Sequence, residues 1–164
     1  MGNKAKYGLL VLLAIAGCTN AEPPTALAFS VSGHLQDPKI LEASGLARSH
    51  RQANLLWIIN DDGAIAHAID HSGARMGEFK LNKSRNRDWE DLASLTLAAK
   101  PYLMIADIGD NAARRDHRTL YFVEEPAAEK NDEKKIAWKV RYRYPDGPRD
   151  AESAAVDVEN QRAL

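Results

Sequence analysis

The chain has 164 residues, 45% of them hydrophobic and 27% charged, the balance of a globular protein and not of a disordered or fibrous one. Its 22 Lys and Arg against 23 Asp and Glu give a formal charge of −1, which excludes a strongly basic nucleic-acid binder and an acidic tail protein. A single cysteine excludes an intrachain disulfide and a multi-cysteine zinc site.

Lys4 and Lys6 precede an apolar run over residues 7–16. A run of about ten apolar residues is too short to cross a ~30 Å hydrocarbon core as a helix, so it predicts the core of a signal peptide. The run ends in Ile15-Ala16-Gly17-Cys18, small residues followed at once by the only cysteine. This resembles the bacterial lipoprotein signal. The resemblance implies that the Cys18 sulfur receives diacylglycerol, that cleavage leaves Cys18 as the first residue, and that its amine is then acylated with a palmitate-type chain. The competing reading is an ordinary secretory leader with an incidental cysteine. Each buried methylene contributes ~0.8 kcal/mol, so three acyl chains would hold the protein durably on a membrane. Thr19 stands where an Asp would resemble the inner-membrane retention signal, which in a two-membrane bacterium implies the outer membrane, facing the periplasm. Loss of residues 1–17 removes two lysines and no acid and takes the charge to −3. Residues 18–28, with Pro23 and Pro24, read as the lipidated cysteine and a short extended tether.

The body, residues 29–164, reads as an all-β domain. After Glu42 comes a first short strand, then a buried run over 55–59 closed by the turn sequence Asn60-Asp61-Asp62-Gly63. Ile65, His67 and Ile69 alternate with smaller residues up to the turn at Ser72-Gly73, and Met76, Phe79 and Leu81 fit a fourth, more solvated strand. The order then repeats, with strands predicted over 92–97, 103–107, 120–123 and 136–144. In the last of these Trp138, Val140, Tyr142 and Tyr144 share one face. A helix over 89–99 competes locally, because Leu92, Leu95 and Leu97 do not exclude it. Pro145-Asp146-Gly147-Pro148 turns the chain into what reads as a third copy from Asp150.

The copies align residue by residue. Leu46-Ala47 answers to Leu92-Ala93 at an offset of 46, and Trp57-Ile58-Ile59-Asn60 to Met104-Ile105-Ala106-Asp107 at 47. Four-stranded meanders recurring at this spacing predict β-propeller blades, at about 40–84, 86–146 and 150–164. The segments Glu42-Ala-Ser-Gly-Leu-Ala, Asn60-Asp-Asp-Gly, Asp88-Trp-Glu-Asp-Leu-Ala, Ala106-Asp-Ile-Gly-Asp-Asn and Asp150-Ala-Glu resemble an exported bacterial β-propeller family, distantly similar to phytase-like and gluconolactonase-like six-bladed propellers. The likeness covers about residues 38–164. A ring of that kind needs roughly 250 residues at 40–45 per blade, so the sequence predicts a partial propeller, about two and a half blades of six, with a compact small β domain as the alternative.

Glu42, Asp88, Glu90, Asp91, Asp107, Asp110, Asn111, Asp150 and Glu152 all fall at predicted strand ends or turns. Strand ends of a propeller converge on one face, and carboxylates gathered there repel unless a hard cation or an arginine compensates them. The resemblance implies a Ca²⁺ site with Glu42 from the first blade and Asp or Asn from others; Asp88, Glu90 and Asp107 are the further candidate ligands. The same acids also suit turn-forming and strand-capping roles, with Arg114, Arg115 and Arg118 near enough in sequence to neutralise some of them. No catalytic residue stands out. Ser44 lies in Ala-Ser-Gly and reads as a tight turn, not a hydrolase elbow, and His67 and His71 are four apart on a stretch that alternates like a strand. No phosphate loop, dinucleotide fingerprint or basic-aromatic stripe for nucleic acid is present. Two function classes follow. One is a lipid-anchored protein that binds a small ligand, glycan or protein partner on the propeller face. The other is a Ca²⁺-dependent hydrolase of lactonase or phosphoesterase type, with Glu42 and Asp107 as ligands and another carboxylate as base.

Overall fold

Short runs rich in β-branched and aromatic residues, closed by Asn, Asp and Gly, favour strands joined by tight turns. The computed structural model describes residues 30–128 and 131–164, so Cys18 and the expected leader and tether lie outside the described residues. Among the described residues the protein is all-β, without a helix.

β1 (Ala43–Arg48), β2 (Leu55–Asn60), β3 (Ile65–Asp70) and β4 (Arg75–Asn82) form an antiparallel meander. β5 (Trp89–Leu97), β6 (Lys100–Asp107) and β7 (Arg118–Glu124) begin a second one. The chain then departs from the expected order. β8 (Asp132–Lys135) returns to the first sheet and pairs in parallel with β4, and only then does β9 (Trp138–Tyr142) complete the second sheet against β7. The strand expected over 136–144 is therefore shorter. Lys134 and Lys135 beside Asp132 and Glu133 give β8 no apolar face for a sequence pattern to reveal. A two-strand hairpin, β10 (Val156–Asp157) with β11 (Arg162–Ala163), stands where the third copy was expected to open with a longer strand from Asp150.

The two sheets repeat one register. Ala43 pairs with Asn60 and Gly45 with Ile59, a bulge at Ser44. Trp89 pairs with Asp107 and Asp91 with Ala106, the same bulge at Glu90. Ser44 is thus a bulged strand residue and not part of a tight turn. The competing helix over 89–99 is a strand, because β5 pairs along its whole length with β6.

Ile59, Trp57 and Phe79 of the first sheet pack against Leu92, Ile105 and Tyr121 of the second in the main core. β1 lies so close to β5 that a Cβ on Gly45 would stand 2.6 Å from the backbone nitrogen of Leu92. The second sheet is covered on its other face too: Met104, Ala106 and Phe122 meet Ala151, Ala154 and Val156 from the C-terminal segment. Covering on both faces explains why β6 carries the unbroken run Leu103–Asp107, all buried. The outer face of the first sheet carries a smaller cluster, Ile58 and Ile69, under Ile40.

Candidate functional site

The residues around β5 begin as backbone geometry. After β6 the chain turns through Ile108, Gly109 and Asp110, and the amides of Ile108 and Gly109 both donate to the carbonyl of Asp88, at 3.1 and 3.2 Å. This wraps the turn around the start of β5. A Cβ on Gly109 would lie 2.4 Å from Oε1 of Glu90 and 2.5 Å from Oδ2 of Asp88, so the two carboxylates lie directly over a residue without a side chain. The segment from Asp150 crosses beside them, held by Asp110 N donating to Asp150 Oδ1 at 2.6 Å and Ala154 N donating to Asp91 Oδ2 at 2.8 Å. Between those two anchors Glu152 reaches Glu90, and the two carboxyl groups interact.

Behind this trio the turn is braced by buried arginines. Arg115 donates from Nη2 to Oδ1 of Asp107 at 2.8 Å and to its carbonyl at 3.0 Å. Arg118 donates from Nε to the Ile108 carbonyl and from Nη2 to Oδ2 of Asp110, each at 2.9 Å. Asp107 is 1% exposed, and its burial raises the carboxyl pKa against the opposing pull of Arg115. Burial would also raise Asp110, but the backbone amides of Arg114 and Arg115 and the Arg118 guanidinium outweigh it and hold that carboxyl low. The buried acids are therefore compensated, and the turn that presents Gly109 is tied down by both guanidinium groups.

The trio in front is not. Among the described residues no Lys or Arg forms an ion pair with Asp88, Glu90 or Glu152. Burial, the Glu152 charge and the Asp88 charge push Glu90 up to about 8. Glu90, facing Glu152 on one side and Asp88 on the other without a cation, holds a proton it would surrender to one.

Of the residues singled out in the sequence, Asp88 and Glu90 thus stand together, with Glu152 as the third member. Asp107 sits one layer behind, its Oδ1 accepting from the Asp88 amide at 3.2 Å, and is taken up by Arg115. Glu42 occupies the place in the first sheet that Asp88 holds in the second. It is exposed and lies beside Asp61 and Asp62, whose charges, Asp61 foremost, raise its pKa. Two groups escaped sequence reasoning. Glu125, 1% exposed, accepts from Ser49, His50 and Trp57; its neighbours are about 70 residues away, so no local signal marks it. Asp37, His67 and Glu78 converge from three segments; the sequence singled out His67 only beside His71, which lies exposed in the turn after β3, and no local signal marks Asp37 or Glu78.

No protein-family model matches the chain, and no curated protein matches it either.

Proposed function

We propose that the protein is a lipid-anchored cell-envelope protein whose two sheets are consecutive β-propeller blades and whose Asp88, Glu90 and Glu152 carboxylates form a Ca²⁺ site on a ligand-binding face. The observation that carries this is the uncompensated trio over Gly109. Its donors are all carboxylate oxygens, the ligand type that suits Ca²⁺, with Glu90 between Asp88 and Glu152. The absence of a side chain on Gly109 leaves room for the trio to close. Asp107 is not a ligand in this reading, since Arg115 already satisfies it, and Glu42 belongs to a separate cluster one blade away. What supports the blade reading is the shared register and shared bulge of the two meanders. What supports the anchor is the cysteine behind a short apolar leader.

When bound, the ion would supply a positive centre for an anionic or hydroxylated ligand. The chain's own residues hold the carboxylates in place through the Asp88 carbonyl, the braced turn and the Asp150 crossing. Calorimetry with Ca²⁺ on the full chain tests the reading. Because Glu90 keeps its proton at neutral pH, binding at pH 7 releases close to one proton per ion, read from the heats in two buffers of different ionisation enthalpy. Glu90→Gln abolishes the release and weakens binding. An absence of both heat and thermal shift overturns the site. Hydrolysis of a simple lactone or phosphate monoester by the Ca²⁺-loaded chain, lost in Glu90→Gln, would replace ligand binding by the hydrolase reading.

A further inference from the structure

On the outer face of the first sheet, away from the carboxylate trio, one histidine and two carboxylates come together. His67 lies in the middle of β3, with Ile58 as its cross-strand partner on one side and Glu78 on the other. Asp37 reaches them from the segment whose Ile40 packs on Ile58 and Ile69. The side chains of Asp37 and His67 are 2% and 3% exposed, and that of Glu78 17%. Despite this burial, Nδ1 of His67 has no hydrogen-bond partner. It points between the carboxylates, 3.7 Å from Oδ2 of Asp37 and 3.5 Å from Oε2 of Glu78.

Those gaps are too long for hydrogen bonds. They match the ~3.4 Å that separates ligand atoms placed tetrahedrally at ~2.1 Å around a zinc-class ion. We propose that Asp37, His67 and Glu78 bind a divalent ion of the zinc class, with water as the fourth ligand. An imidazole donor points to that class and away from Ca²⁺, which takes oxygen ligands. The carboxylates are meanwhile balanced by Arg75, 3.1 Å from Oδ2 of Asp37 and 3.1 Å from Oε2 of Glu78, and by Lys39, 3.2 Å from Oε1 of Glu78. Neither cation provides a partner for Nδ1, whereas one ion at the centre satisfies all three groups. Both side chains are long and exposed, at 37% for Arg75 and 57% for Lys39, and can swing into solvent when the ion enters. The bound ion cross-links the segment carrying Asp37 to β3 and β4.

Titration of the purified full chain with Co²⁺, in excess Ca²⁺ to fill oxygen-only sites, tests this. The expected result is a saturable visible absorption of tetrahedral Co²⁺ at one ion per chain, displaced by Zn²⁺, with a rise in Tm. Glu78→Gln and His67→Gln lower the Co²⁺ affinity at least ~10-fold. Arg75→Ala raises it, because it removes the competing cation; a site made only of ion pairs would show no absorption in that variant either. No absorption and no thermal shift in the unsubstituted chain would overturn the proposal. So would an affinity untouched by Glu78→Gln, or one weakened by Arg75→Ala.

Discussion

Glu125 joins the two sheets, and its removal separates their contributions to stability. The carboxylate leaves the end of β7, where its own amide donates to the Pro101 carbonyl at 3.0 Å, and enters the turn between β1 and β2. There Oε1 accepts from Ser49 Oγ and, at 2.9 Å, from Trp57 Nε1, while Oε2 accepts from the His50 amide at 3.0 Å. Trp57 is 1% exposed and Glu125 likewise, so water cannot replace these bonds without opening the interface. A hydrogen bond to a charged acceptor is worth ~1.5–3 kcal/mol, and three that converge on one group are not additive, so Glu125→Ala costs about 4 kcal/mol. For a domain of this size each kcal/mol moves Tm by roughly 3–5 °C, which predicts a fall of about 12–20 °C. Glu125→Gln keeps the shape but turns an NH₂ toward one donor, and costs about half as much. Urea unfolding followed by far-UV circular dichroism measures both, with Trp57→Phe added to each background to close a double-mutant cycle. Trp57→Phe should cost at least ~1 kcal/mol less where Glu125 is already absent. A Glu125→Ala protein within ~1 kcal/mol of the parent, or a Trp57→Phe cost identical in both backgrounds, would refute the inter-sheet role.

Gly45→Ala drives a methyl into the Leu92 backbone at 2.6 Å, and an overpacking cost of about 1–3 kcal/mol should appear in the same urea assay. Glu90 binds in the native state a proton that the unfolded chain releases near its ordinary 4.5, so stability falls as pH rises from about 5 to 8. The limit is ~1.4 kcal/mol per pH unit, reduced to about half by solvent around this partly exposed group; Glu90→Gln flattens the Tm–pH profile over that range. The two-residue turn between β5 and β6 places Ala98 at φ 47° and Ala99 at φ 61°, and Ala98→Asn with Ala99→Gly should raise stability by about 1–2 kcal/mol. Cys18→Ser should move the protein from the membrane fraction to the soluble one on fractionation, and persistence at the membrane would remove the lipid-anchor reading.

Much of the sheet order was legible because it is written in local pattern. The alternation through Ile65, His67 and Ile69 and the turn at Asn60-Asp61-Asp62-Gly63 each reflect a backbone preference acting within a few residues. The helix that competed for residues 89–99 arose from the same locality. Leu97-Ala98-Ala99 favours a helix by propensity, and only pairing with β6 forces both alanines into left-handed backbone. β8 was invisible because its four residues are charged and its partner β4 lies some 50 residues earlier.

The site divides in the same way. Asp88 and Glu90 stand two residues apart, so the sequence alone kept them near one another, and the repeat at offsets of 46 and 47 matched Glu42 to Asp88 and Asn60 to Asp107. Whether an acid is free or compensated depends on what crosses it in space. Arg115 neutralises Asp107, whereas Glu152 reaches Glu90 only because Asp150 and Ala154 are pinned to the second sheet. Charge compensation and burial act through distance, and a one-dimensional order specifies distance only between near neighbours. Sequence by itself therefore determined most strands of the two meanders, their repeat and the acids available; tertiary structure decided the pairing of β8, which acids lie near one another, which are neutralised, and that His67 meets Asp37 and Glu78.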